Sequence, residues 1–158
     1  MEAVVVLLAT SSLGGIFSSA AADFGTDGVI ERMTQIRPKL LFVTNGVVYN
    51  AAPRPLLPSL SILLEKLEYK PEKVIVISHL PDSMVPRPDS FGPEVLSWEK
   101  YLDKGNGDVE YVRMGFNEPI WILFSSGTTG KPKAIVVSES LFGRASTNCS
   151  ASSRRDAH

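Results

Sequence analysis

At 158 residues the chain is long enough for one domain with a buried core, and 44% hydrophobic with 21% charged residues is an ordinary globular composition. A net charge of −1 leaves no electrostatic footprint for nucleic acid or for an anionic membrane surface. The single cysteine, Cys149, has no partner for an internal disulfide, which fits a reducing, cytoplasmic setting, and His79 and His158 stand too far apart in sequence for a structural zinc pattern, so no metal site is expected.

Ala3 to Ala22 carries no charge. A signal peptide calls for a basic start, whereas only Glu2 stands beside the initiator. A membrane helix calls for unbroken hydrophobicity, whereas Thr10, Ser11, Ser12, Gly14 and Gly15 dilute this stretch. The better reading is a buried helix from Glu2 to Leu13, ended by Gly14-Gly15, then a short strand at Ile16 to Ser18. Asp23-Phe24-Gly25 matches the kinase metal-binding triplet, but no other kinase element accompanies it. Thr26 to Ile36 is a predicted amphipathic helix, with Thr26 or Asp27 as N-cap and Val29, Ile30, Met33 and Ile36 at helical spacing; Pro38 stops it. Leu40-Leu41-Phe42-Val43 then reads as a core strand and Val47-Val48-Tyr49 as a second, short one.

Ala51 to Pro58 is proline-rich and reads as a surface connection. Leu60 to Leu67 is a predicted helix with Leu60, Leu63, Leu64 and Leu67 on one face, leaving Glu65, Lys66 and Glu68 solvated. Lys73 to Ser78 is a predicted strand, Leu80 to Pro93 a long loop, Ser97 to Leu102 a short helix, Lys104 to Asp108 a turn, and Val109 to Met114 a strand. Helices alternating with short apolar strands predict an α/β layered fold with a largely parallel sheet and flanking helices.

The densest chemistry lies between Pro119 and Val137. Ile120 to Phe124 and Ala134 to Val137 are continuous apolar runs and read as fully buried strands. Between them runs Ser125-Ser126-Gly127-Thr128-Thr129-Gly130-Lys131-Pro132-Lys133. Gly127 and Gly130 can take positive φ and turn backbone N–H groups into one concavity. The hydroxyls of Ser125, Ser126, Thr128 and Thr129 are rotatable donors, and Lys131 and Lys133 are mobile positive charges. Such a loop can cradle a polyphosphate. It is not a Walker A loop, because Ser125 stands where the first glycine belongs and Pro132 follows Lys131. The alternative reading is a Gly/Ser/Thr hairpin loop without a ligand.

The order of these residues resembles the phosphate-binding signature of the adenylate-forming enzymes, a superfamily that includes acyl-CoA synthetases and the adenylation domains of peptide synthetases. Within it, Leu7 to Ser19, Asp23-Phe24-Gly25, Gln35 to Phe42, Val48-Tyr49-Asn50, Ser97-Trp98 and Phe116-Asn117 are similar to the acetoacetyl-CoA synthetase branch. The resemblance covers residues 1 to about 138, read as a partial adenylate-forming domain, followed by a disordered Ser/Arg-rich tail over 139–158.

The resemblance implies an acid–CoA ligase acting on ATP with Mg, acetoacetate and CoA, with Ser125, Ser126, Gly127, Thr128, Thr129, Gly130 and Lys133 on the phosphates and Lys131 at a position that varies. No catalytic residue can be assigned. Val137 stands where many relatives have His. The glycine-rich continuation after Ser138, the later nucleotide motifs and the C-terminal domain with its adenylation lysine are absent. The expectation is therefore an internal slice of a longer ligase, inactive alone, that keeps a phosphate loop. The alternative is a non-catalytic pseudoenzyme or binding fragment, with exposed sheet edges that invite self-association.

Overall fold

The computed structural model describes residues 1–22, 24–103, 105, 107–125 and 130–138. Its helices are α1 (Glu2–Ser12), α2 (Gly25–Ile36), α3 (Leu60–Lys66) and α4 (Trp98–Leu102), and its strands are β1 (Phe17–Ser18), β2 (Leu40–Thr44), β3 (Gly46–Tyr49), β4 (Ala52–Pro55), β5 (Lys73–Ile77), β6 (Val95–Ser97), β7 (Pro119–Phe124) and β8 (Ala134–Ser138). The fold is mixed α/β, as the alternation predicts, with parallel pairings β1–β7, β2–β5 and β5–β6 and antiparallel pairings β3–β4 and β7–β8. The described residues divide into two compact units, one drawn from residues 1–19, 109–125 and 133–138, the other from 20–108 and 130–132; the expected tail over 139–158 lies outside the described residues.

The second unit holds the larger core. Its sheet runs β2-β5-β6, with Leu41 opposite Val74 and Val43 opposite Val76. Side chains alternate across a strand, so one face gathers Leu41, Val74, Val76 and Val95 against Met33 of α2 and Leu60, Leu63 and Leu67 at α3. The other face carries Phe42 and the fully buried Ile75, with Phe42 edge-on to Trp98 and Tyr101 of α4 at centroid distances of 6.2 and 6.0 Å. Helices therefore cover both faces of a parallel sheet, which is the condition for its continuous apolar strands.

Asn45, just after β2, is 1% exposed. Its side-chain oxygen accepts from the N–H groups of His79 (2.7 Å) and Leu80 (2.9 Å), and its Nδ2 donates to the Leu80 carbonyl at 2.8 Å. Its own N–H donates to Ile77 O at 3.0 Å, and its carbonyl accepts from Leu56 N at 2.9 Å. One amide thus ties the exits of two strands to the segment after β4.

In the first unit the sheet order is β1-β7-β8, with Phe17 opposite Trp121 and their rings edge-on at 5.7 Å. Helix α1 ends as its glycines predict. Gly14 takes φ +70°, Gly15 N–H donates to Thr10 O at 2.8 Å and Gly14 N–H to Ser11 O at 3.1 Å, the paired bonds of a Schellman cap. The expected burial of α1 does not hold: Val6 is its buried residue, while Val4, Val5 and Leu8 are 54, 44 and 63% exposed. A stretch that is apolar on every side cannot bury more than the one face its neighbours cover.

Further expectations are corrected. The proline-rich segment after Ala51 is not merely a connection, since Ala52–Pro55 pairs antiparallel with β3 as an exposed strand, where a two-stranded ribbon tolerates proline's missing donor. Asn50 and Ala51 make the turn with φ of 50° and 59°. Thr26 and Asp27 lie inside the first turn of α2, whose N-cap is Phe24, and Asp27 pairs instead with Lys66 at 3.0 Å. Val109 to Met114 is not a strand; Val112 N–H donates once, to Ser12 O at 3.0 Å.

Candidate functional site

The loop between β7 and β8 is a hairpin connection, because its flanking strands are antiparallel, with Phe124 opposite Ala134 and Leu123 opposite Ile135. The strands are not fully buried as expected. Leu123, Ile135 and Val136 are 42, 48 and 62% exposed, and Val137 is the buried residue of β8 at 5%. An apolar run alone does not distinguish a strand covered on two faces from one covered on one.

Ser125 and Lys133 close the loop. The Ser125 N–H donates to the Lys133 carbonyl at 3.0 Å, and the Lys133 N–H donates to Ser125 Oγ at 3.2 Å. This reciprocal pair sets the width of the loop's mouth with one backbone and one side-chain acceptor. Because Oγ accepts here, its own O–H proton is not used in that bond and can be donated to an anion. Lys133 is exposed beside it. Ser126, Gly127, Thr128 and Thr129, the centre of the expected cradle, lie outside the described residues. Gly130 is described, and among the described residues nothing lies within 4 Å of a Cβ built on it.

Beyond Gly130, the chain is held by a helix that sequence reading had not connected with it. Gln35 Nε2 on α2 donates to the Pro132 carbonyl at 2.8 Å, and Glu31 Oε1 lies 3.9 Å from Lys131 Nζ. The available signal was the spacing of Asp27, Glu31 and Gln35, four residues apart and hence on one helix edge. Nothing in that spacing says which distant segment the edge meets. Among the described residues no group of three or more His, Cys, Asp or Glu could hold a metal ion, and no helix is long and apolar enough to cross a membrane.

Comparison with known proteins agrees with this picture. Residues 1–156 match the family of AMP-binding enzymes. The chain is 38% identical over 140 residues to an acetoacetyl-CoA synthetase of Gallus gallus, covering 86% of this chain and 21% of that protein. It is 35% identical over 139 residues to a malonamoyl-CoA synthetase of Penicillium aethiopicum, covering 85% of this chain and 19% of that one. The solved acetoacetyl-CoA synthetase from Streptomyces lividans superposes with a TM-score of 0.73 at 37% identity, over 87% of this chain and 20% of that one. The chain thus spans about a fifth of the length of the relatives it matches. With the Ser-Ser-Gly-Thr-Thr-Gly-Lys-Pro-Lys order set on a β-hairpin and a family match over nearly the whole chain, this protein belongs to the AMP-binding enzyme family.

Proposed function

We propose that residues 1–138 are the phosphate-binding portion of an ATP-dependent acid–CoA ligase of the acetoacetate–CoA type, working in the cytoplasm. In the reaction, a carboxylate oxygen attacks the α-phosphorus of MgATP, an acyl-adenylate forms and pyrophosphate leaves. The CoA thiol then attacks the acyl carbon and expels AMP. Ser125, Ser126, Gly127, Thr128, Thr129, Gly130 and Lys133 hold the β- and γ-phosphates, which positions the α-phosphorus and stabilises charge on the leaving group. Mg enters as the counter-ion of the nucleotide. Acetoacetate and malonamate, the acids activated by two relatives according to their names, both carry a carbonyl two carbons from the carboxylate. The acid taken by the whole enzyme is therefore a short 3-carbonyl carboxylate.

The observation that carries this reading is the reciprocal Ser125–Lys133 closure, which keeps the motif's first hydroxyl and last lysine at one mouth. Isothermal titration of the 158-residue chain with Mg-pyrophosphate and MgATP tests it. Binding is expected, with Lys133→Ala and Thr128→Ala each weakening it roughly tenfold or more, the value of one charge-assisted phosphate contact. Unchanged affinity in both variants defeats the assignment. No acetoacetate-dependent ATP–pyrophosphate exchange is expected from this chain alone, and exchange above background would overturn its inactivity.

A second reading, a non-catalytic binding fragment, is favoured by β8, the outer strand of its sheet among the described residues, with Ile135 and Val136 exposed. Such an edge recruits another strand. Concentration-dependent dimers in analytical ultracentrifugation that Val136→Lys abolishes are the expected result, and a monomer at all concentrations excludes it.

A further inference from the structure

The edge of α2 that carries Glu31 and Gln35 meets the chain immediately after the phosphate loop. Both protons of the Gln35 side-chain amide are spent there: Nε2 donates to the Glu31 carbonyl at 3.0 Å and to the Pro132 carbonyl at 2.8 Å. The amide is thus a cross-link from helix backbone to loop backbone. Pro132 has no N–H, so its carbonyl is the main chain's hydrogen-bonding handle at that position. Its ring also restricts both its own φ and the backbone of Lys131 before it. Holding this carbonyl therefore orients two flanking lysines together. One turn earlier on the same edge, the Glu31 carboxylate sits 3.9 Å from Lys131 Nζ, with the lysine 86% and the glutamate 31% exposed. A solvated pair at that distance is weak and displaceable.

We propose that this edge of α2 controls the exit of the phosphate loop. Gln35 is a positioning residue that fixes the Lys131-Pro132-Lys133 arm, and Glu31 is a resident counter-ion that occupies Lys131 until a polyphosphate takes its place. The counter-ion role rests on the phosphate-binding reading given above; the brace does not. The two residues are one helical turn apart, yet their loss has opposite consequences. Removing the Gln35 amide loosens the arm and weakens anion binding. Removing the Glu31 charge takes away a competitor and strengthens it. A role confined to folding gives both changes the same sign.

The test uses the 158-residue chain and its Gln35→Met and Glu31→Gln variants. Trypsin does not cut before proline, so in this arm it reports on the Lys133–Ala134 bond. Without ligand, Gln35→Met is expected to raise cleavage there several-fold while cleavage after Lys100 and the melting temperature stay unchanged. An unaltered rate at Lys133 overturns the brace. With inorganic pyrophosphate and Mg at low salt, Gln35→Met is expected to weaken binding about 3- to 10-fold, and Glu31→Gln to tighten it about 2- to 5-fold, the latter gain vanishing near 1 M salt, as expected for an exposed ion pair. Weaker or equal binding in Glu31→Gln overturns the counter-ion. If the unsubstituted chain binds no pyrophosphate at millimolar concentration, the phosphate-loop reading and the counter-ion fall together, and the cleavage result still decides the brace.

Discussion

Asn45 shows how one polar residue can organise a core. Its amide satisfies three backbone groups of His79 and Leu80 in a largely buried place, so Asn45→Leu leaves those groups orphaned. Leaving a buried polar group unpaired costs about 1–3 kcal/mol, and several are involved, so a loss of roughly 3 kcal/mol is expected in urea unfolding. A loss below about 0.5 kcal/mol would show that water reaches these groups. Gly46 beside it is required by space, because a Cβ there meets Arg54 O at 2.7 Å and collides with the Leu80 side chain.

Tyr69 offers a pH signature. Burial pushes its phenol up to about 12 from 10.0, and among the described residues its hydroxyl has no hydrogen-bond partner. The folded state favours the neutral phenol, so this contribution to stability is complete below pH 10 and is lost as the pH rises toward 12. The melting temperature of the unsubstituted chain should fall more steeply between these values than that of Tyr69→Phe. Parallel curves would mean that the hydroxyl is hydrated.

At the scale of the element, the β3–β4 hairpin turns through two residues at positive φ, a type I′ geometry that matches strand twist. Asn50 tolerates it, whereas Ala51 does not do so readily. Ala51→Gly should therefore stabilise the chain by about 0.5–1 kcal/mol despite glycine's freedom in the unfolded state. A lower melting temperature in this variant would show that the turn is relaxed as it stands. Sequence reading missed the turn because Asn-Ala lacks the glycine that announces it, and missed β4 because prolines argue against strands. It placed α3 well, because Leu60, Leu63 and Leu67 recur at helical spacing and all three are buried.

Across the whole molecule, burial is uneven. The second unit joins nine buried apolar residues into one cluster, whereas in the first unit Val6 and Val137 are the buried apolar residues among those described. Amide exchange should follow this division, with β2 and β5 protected and α1 and β8 exchanging early. Equal protection in both units would show that the exposed apolar residues of the first are covered in solution.

From its residues alone, this chain declared an α/β alternation, its core helix α3 and the apolar strands β2 and β5, because periodicity and continuous apolar runs are local properties. The order of Ser125 to Lys133 likewise pointed to phosphate chemistry and to the adenylate-forming resemblance. Tertiary structure decided which sides of the apolar runs are covered, since β8 and β5 look alike as sequence yet differ in exposure. It also decided that Asn45 is a hub, and that Gln35 reaches Pro132, 97 residues away. Coverage and partnership of this kind depend on segments distant in sequence, and no local pattern encodes them.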